Sequence, residues 1–174
     1  MKINIIGYSG AGKSTLAKTI GNILNIPVLH LDKVNYLPHW EERQKDESKK
    51  IVEDFINNHD KFIIDGNYYK FAYELRMKLS DKIIFLDFDK FTCLFQAYKR
   101  YKENIGKVRD SMSEGCCEKF DWDFIRWILF DGRTEERVNR YNKLLEEHKE
   151  KIIYLKNRKE VDDFVEKIKI NKSL

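Results

Sequence analysis

The stretch Ile3-Asn4-Ile5-Ile6-Gly7-Tyr8-Ser9-Gly10-Ala11-Gly12-Lys13-Ser14-Thr15-Leu16-Ala17 decides the fold. An apolar run (Ile3–Ile6) leads into Gly7–Ser14, which fits G-x-x-x-x-G-K-[ST] in full. The residues after it repeat at helical spacing through Leu16, Ala17, Ile20 and Ile23. Phosphates need a concave ring of backbone N–H groups, and glycines let a chain curl without Cβ clashes. On this reading Gly7, Ser9, Gly10, Ala11, Gly12 and Thr15 belong to a cradle for the phosphates of ATP. Lys13 reaches the β- and γ-phosphates, and Ser14 Oγ ligates Mg²⁺. The helix that opens there aims the positive end of its dipole at the anion.

Working outward, four more short apolar runs read as strands: Val28–Leu31, Phe62–Ile64, Ile83–Phe88 and Ile152–Leu155. Several are continuous rather than alternating, which suits a parallel sheet covered on both faces. Helical segments lie between them. Ile51, Val52, Phe55 and Ile56 share one face. So do Phe91, Leu94, Phe95, Tyr98 and Tyr101, and so do Val161, Phe164, Val165 and Ile168. Strand–helix alternation predicts an α/β domain over residues 1–174, a doubly wound parallel five-stranded sheet with helices on both faces. One interval breaks the rhythm. More than sixty residues separate the fourth and fifth strands, with a loop-like Asn104–Lys119 followed by helices near Asp121–Phe130 and Thr134–His148. Such an insertion over the carboxyl edge of the sheet is expected to be a lid, spanning approximately residues 99–140.

Composition sets the outer limits. The chain has 174 residues, 42% of them hydrophobic, enough for one domain with a substantial core. No apolar run approaches the roughly 20 residues that span a bilayer, so no membrane partner is expected. Three cysteines (Cys93, Cys116, Cys117) are too few for a disulfide framework, and the N-terminus carries no cleavage pattern, so a reduced, cytoplasmic protein is expected. The 33 Lys and Arg exceed the 29 Asp and Glu by four, short of the basic excess of nucleic-acid binders. The window Lys99–Arg109 holds five cations and one anion, making it a candidate phosphate clamp.

Individual side chains extend the picture. Asp32 falls at the end of the second strand, on the edge where open α/β sheets bind ligands. Asp65 ends the third strand, where a carboxylate suits the hydration shell of Mg²⁺ and an Asp-Gly turn is equally natural. Asn67 and Tyr68 then line an acceptor pocket. Asp87 reads as a solvated strand end. Arg43 and Arg76 are candidate guanidinium forks for an acceptor phosphate. Phe120, Trp122, Phe124, Trp127 and Phe130 have helical spacing and read as packing residues rather than a base-stacking platform. Arg126 is expected to bridge a carboxylate, and His30 reads as a packed strand histidine.

In sequence order, GYSGAGKSTLA (7–17), IPVLHLD (26–32), PHW (38–40), FIIDGNY (62–68), Arg76 and IIFLDF (83–88) are followed by Arg100, Arg109, SMSEGC (111–116), Glu118 and DWDFIRWI (121–128). This series resembles the bacterial DNA topology modulation proteins, a family related to adenylate kinase, and the resemblance covers nearly the whole chain. It implies a P-loop NTPase fold, with the sheet in the order 2-3-1-4-5 and a helical lid, and an ATP- and Mg²⁺-dependent transfer of phosphoryl to a small acceptor, a nucleoside or nucleotide above all. It further implies that Asp32 holds or deprotonates the acceptor and that the lid arginines, Arg100 and Arg109 first and then Arg133 or Arg137, close over ATP. The chain departs from the pattern at His39, where glycine is usual, and at Cys117, where proline is usual. Adenylate kinases proper carry Asp-Gly-Phe-Pro-Arg after the third strand. Asp65-Gly66-Asn67-Tyr68-Tyr69 lacks that arginine, which argues against AMP as acceptor. Cys116-Cys117 lack the paired spacing of zinc-bearing lids. The family name leaves two other readings open, a nucleotide-binding DNA topology modulator and an ATP-binding switch without transfer. No DNA-reading module is recognisable in the sequence.

Overall fold

Continuous apolar runs become strands only where both sheet faces are covered, and here they are. The computed structural model describes residues 1–171. Its strands are β1 (Lys2–Gly7), β2 (Val28–His30), β3 (Phe62–Asp65), β4 (Lys82–Leu86) and β5 (Ile152–Leu155). They form one sheet in the order β2-β3-β1-β4-β5, every neighbouring pair parallel. The helices are α1 (Lys13–Leu24), α2 (Leu31–Asn35), α3 (Lys45–Asn58), α4 (Tyr73–Leu79), α5 (Lys90–Glu103), α6 (Trp122–Leu129), α7 (Glu135–Glu147) and α8 (Arg158–Asn171). Along β3 the side chains alternate. Ile63 packs into a cluster with Leu16, Ala17 and Ile20 of α1, while Phe62 and Ile64 pack with Leu31, Val52 and Ile56 of α2 and α3. Among the described residues no helix is long and apolar enough to cross a membrane.

Two differences from the sequence expectations have physical causes. The strand expected over Val28–Leu31 stops at His30, the last residue paired to β3, and Leu31 begins α2. Asp32 therefore sits in the first turn of a short helix instead of at a strand end. On α5 the expected aromatic face is not the buried one. Cys93 and Ala97 are buried, whereas Phe91 and Phe95 are each 67% exposed. Small residues win because α5 lies against the glycine-rich loop: a Cβ on Gly10 would meet the Cys93 carbonyl oxygen at 2.4 Å. The aromatic run in the insertion divides likewise. Phe120 and Phe124 pack against the core, and Trp122 and Phe130 are exposed.

The insertion does not stand away from the domain. Residues 104–121 carry no helix or strand and reach from α5 to the segment after β2. There Ser113 Oγ donates to the carbonyl of Tyr36, the His39 amide donates to the Glu114 carbonyl (3.2 Å), and Cys116 Sγ donates to the Leu37 carbonyl (3.4 Å). His39, standing where the resembled family has glycine, adopts φ 62°, a left-handed conformation in which glycine is favoured. Its ring lies beside Gly115, where an added Cβ would come within 2.6 Å of Nδ1.

Arg76 corrects a sequence expectation. It is fully buried and cannot reach an acceptor phosphate. Its guanidinium donates to the carbonyls of Phe71 (2.9 Å) and Tyr68 (2.7 Å) and to Asn4 Oδ1 (3.3 Å), and it lies over the Tyr73 ring. Burial pulls its pKa down to about 10. Arg76 thus holds the chain that follows β3, and through it the floor of the site. Arg76→Met should cost about 3 kcal/mol or more in urea unfolding, because buried carbonyls lose a charged donor. Wild-type stability in that variant would contradict this role.

Candidate active site

The glycine-rich loop joins β1 to α1 and is shaped by close backbone contacts. Gly7 (φ 139°) leaves no room for a Cβ, which would meet the Leu86 carbonyl oxygen at 2.3 Å. Gly12 (φ 92°) precedes α1 in the left-handed region, and no side chain caps the helix. The first amides of α1 therefore have no side-chain acceptor and face the hollow of the loop. By contrast, Asp89 caps α5 through the amides of Phe91 and Thr92.

Parallel pairing of β3 with β1 sets Asp65 opposite Ile5 and so beside the start of α1. Ser14 Oγ donates to Asp65 Oδ2 at 2.7 Å, and His30 Nδ1 lies 2.5 Å from Asp65 Oδ1. Lys13 Nζ donates to the Tyr8 carbonyl at 3.0 Å, inside the loop. Burial pulls the Lys13 pKa below the usual lysine range, and the carboxylates of Asp32 and Asp65 oppose that shift. Ser14 and Asp65 supply hard oxygen atoms, the donor type Mg²⁺ prefers, with most of its shell left to water and phosphate. Among the described residues no group of three or more His, Cys, Asp or Glu is placed to cage a metal.

On the β2 side, Tyr68 O–H donates to Asp32 Oδ1 at 2.9 Å, and the Tyr68 ring stacks on Phe71 with centroids 4.7 Å apart. Burial first, and then the Asp32 carboxylate, push the Tyr68 hydroxyl far above its usual pKa, so it remains a donor. Arg100 Nε donates to Glu118 Oε2 at 3.1 Å, and Arg109 pairs with the other oxygen of the same carboxylate. Burial and the neighbouring Arg109 lower the Arg100 pKa, while Glu118 and Asp32 oppose the shift. Two guanidiniums on one carboxylate leave one positive charge on this flank, near Asp32 and Lys13. Within the window Lys99–Arg109, Arg100 and Arg109 meet on Glu118, and Lys99 pairs with Glu103.

Other expected site residues are placed differently. Asn67 ties β3 to the loop, accepting from the Gly7 amide (3.1 Å) and donating to the Gly7 carbonyl (2.6 Å), and it lines a hollow on the other flank of the loop. Arg43 Nε donates to the Val34 carbonyl (2.9 Å), and its NH1 pairs with Glu47. Thr15 is exposed and lines a cleft against α8. Ser9 Oγ accepts from Trp127 Nε1 at 3.0 Å, and Ala11 is buried, its amide donating to the Tyr8 carbonyl. Asp87 accepts from the Tyr154 hydroxyl, and Arg126 pairs with Asp131 at 3.2 Å.

A second hollow opens on the other flank of the loop, a cavity of about 50 Å³ lined by Tyr8, Ser9, Trp127, Arg133 and Arg137 among others, with no acidic side chain in its wall. The two arginines differ. Arg133 lies 3.6 Å above the Tyr8 ring and donates to the Phe88 carbonyl at 2.6 Å. Arg137 stacks over Trp127 at 4.6 Å and has no hydrogen bond or ion pair among the described residues.

Three of these features were not read from the sequence. They are the contact of His30 with Asp65, Glu118 as shared partner of two arginines, and Trp127 on the loop. Strand order carried the first signal: in a 2-3-1 sheet the last residues of the second and third strands, His30 and Asp65, pair side by side.

No family model matches the chain, and no curated protein sequence matches it. Solved structures do. The shikimate kinase of Bacteroides thetaiotaomicron superposes with a TM-score of 0.52 at 16% identity, over 100% of this chain and 99% of that one. The shikimate kinase of Acinetobacter baumannii, in complex with shikimate, gives 0.56 at 15% identity, over 96% and 89%. The chain thus shares the fold of these kinases, a parallel five-stranded sheet in the order β2-β3-β1-β4-β5 with helices around it.

Trp127 is the tryptophan in contact with the loop, so it should report nucleotide binding. Addition of a non-hydrolysable ATP analogue should change the intrinsic fluorescence. Trp127→Phe should remove most of that change and Trp122→Phe should not. An undiminished response in Trp127→Phe would separate α6 from the nucleotide site.

Proposed function

We propose that the chain is a phosphotransferase that moves the γ-phosphoryl group of ATP to a hydroxyl of a small acceptor, with Mg²⁺. The observation that carries this reading is the join at the loop, where an uncapped α1 presents Lys13 and Ser14 while Asp65 holds the Ser14 hydroxyl. Phosphoryl transfer asks a protein mainly for positioning and charge neutralisation. Loop amides and Lys13 hold the donor phosphates. Ser14 and Asp65 hold Mg²⁺, which when bound draws charge from the phosphate oxygens. Arg100, within electrostatic reach of Asp32 and Lys13, neutralises the group in flight, and segment 99–140 serves as the lid.

A hydroxyl acceptor is favoured over a phosphate for a specific reason. The two guanidiniums expected to hold an acceptor phosphate are committed elsewhere, Arg76 in the core and Arg43 to Val34 and Glu47. Asp32, oriented by Tyr68, has the geometry of a general base for an acceptor O–H. The hollow at Arg137 has positive charge, no acid, and room for a carboxylate or phosphate group rather than a base. An acceptor that combines a reactive hydroxyl with an oxyanion suits both flanks. Nucleosides, nucleotides and hydroxylated carboxylates, shikimate among them, belong in the first panel. The motif resemblance to DNA topology modulation proteins is compatible with this chemistry. No contact in the site favours DNA.

Lys13→Ala should abolish ATP-dependent transfer, and with a hydroxyl acceptor Asp32→Asn should lower kcat by roughly 100-fold or more at near-wild-type affinity for ATP. Turnover retained by Lys13→Ala would contradict the kinase reading. Turnover retained by Asp32→Asn would point to a phosphate acceptor. Arg137→Ala should raise the KM of oxyanion-bearing acceptors about tenfold or more and leave kcat little changed. An equal effect on uncharged acceptors would contradict the anion role.

A further inference from the structure

His30 has a partner that the mechanism above does not use. It is the last residue of β2 and the ladder partner of Asp65, so both side chains project to the same face of the sheet. Their side chains are 13% and 4% exposed, and Nδ1 lies 2.5 Å from Oδ1. A carboxylate only accepts hydrogen bonds, so the hydrogen is on His30 Nδ1. The other Asp65 oxygen accepts from Ser14 Oγ at 2.7 Å. Asp65 is thus gripped at both oxygens, from an edge strand on one side and from the first turn of α1 on the other.

The consequence lies at Ser14. A hydroxyl has one hydrogen and two lone pairs. With its hydrogen committed to Asp65, Ser14 Oγ turns both lone pairs away from the carboxylate, toward the hollow of the loop. If Asp65 could rotate, the Ser14 hydrogen would be free to point into the hollow and repel a cation. Lys13 also lies within electrostatic reach of Asp65, so an ungripped carboxylate has a competing cation to turn toward. We infer that His30 is a positioning residue for the divalent cation: through Asp65 it fixes the direction of the Ser14 hydroxyl and so sets how strongly Mg²⁺ tightens nucleotide binding. This rests on the kinase reading only in assigning Mg²⁺ to Ser14 and Asp65. Partners that orient groups around a metal are worth about 10–100-fold in metal affinity.

The test is calorimetric titration of a non-hydrolysable ATP analogue into the full chain, in Mg²⁺ and in EDTA. In the wild-type protein Mg²⁺ should strengthen binding. His30→Ala should lose roughly 10–100-fold of that enhancement, with affinity in EDTA unchanged. His30→Asn places an amide nitrogen near the position of Nδ1 and should recover most of it. His30→Gln places its amide near the position of Nε2 and should not. A purely structural tie between β2 and β3 would lower affinity equally in Mg²⁺ and EDTA, or lower stability alone, and either result overturns the inference. So does an intact enhancement in His30→Ala or, should that variant not fold, equal enhancements in His30→Asn and His30→Gln. A wild-type protein that binds the analogue without any effect of Mg²⁺ overturns it while leaving ATP binding in place. A wild-type protein that binds no analogue overturns the kinase reading itself.

Discussion

The parallel pairing of β3 with β1 is the constraint on which the site depends. Its register sets Asp65 against Ile5, and the Gly66 amide continues the ladder by donating to the Ile5 carbonyl. One residue further, Asn67 closes two hydrogen bonds on Gly7, the first residue of the glycine-rich loop. A one-residue slip in this register would turn the Asp65 side chain to the other face of the sheet and away from Ser14. Arg76 guards the same register from below. It holds the carbonyls of Tyr68 and Phe71 and the side chain of Asn4, which lies within β1. The candidate site's edge is therefore built by ordinary sheet hydrogen bonding, and buried polar groups flank it.

The second organising feature is the docking of residues 104–121 onto the segment after β2. Arg100 and Arg109 meet on Glu118, and four residues earlier in the same loop the Glu114 carbonyl accepts from His39. The loop thus joins the flank that carries Arg100 and Arg109 to the flank that carries Asp32. The left-handed backbone at His39 is a local cost of the join, at a position where glycine would be relaxed.

The fold was legible in the sequence because its signals are local. Apolar runs, the Gly7–Ser14 motif and helical spacing mark five strands, and the sheet is built from all five, in the order that the family resemblance implies. Lys13, Ser14 and Asp65 were legible for the same reason, since a motif and a strand end locate them. What escaped was decided by packing between distant segments. Cys93 and Ala97 are buried in place of Phe91 and Phe95 because α5 must approach the loop backbone closely. Arg76 looks like any helix-surface cation in the sequence, and only the chain folded around Phe71 and Tyr68 reveals its use. Asn67 lines a hollow, but its hydrogen bonds to Gly7, sixty positions earlier, show only once the two segments are brought alongside. Charge counting within Lys99–Arg109 also misses Glu118, which lies outside that window and pairs with two of its arginines.

The central claim, that this edge transfers a phosphoryl group and does not merely hold a nucleotide, is most directly tested by ³¹P NMR. ATP, Mg²⁺ and a panel of small hydroxylated acceptors, each with and without a carboxylate or phosphate, would be incubated with the wild-type protein. The expected result is a new phosphate monoester resonance, with matching growth of ADP, for an acceptor that carries an oxyanion. Binding of ATP with no monoester formed from any acceptor, or release of inorganic phosphate alone, would contradict the claim.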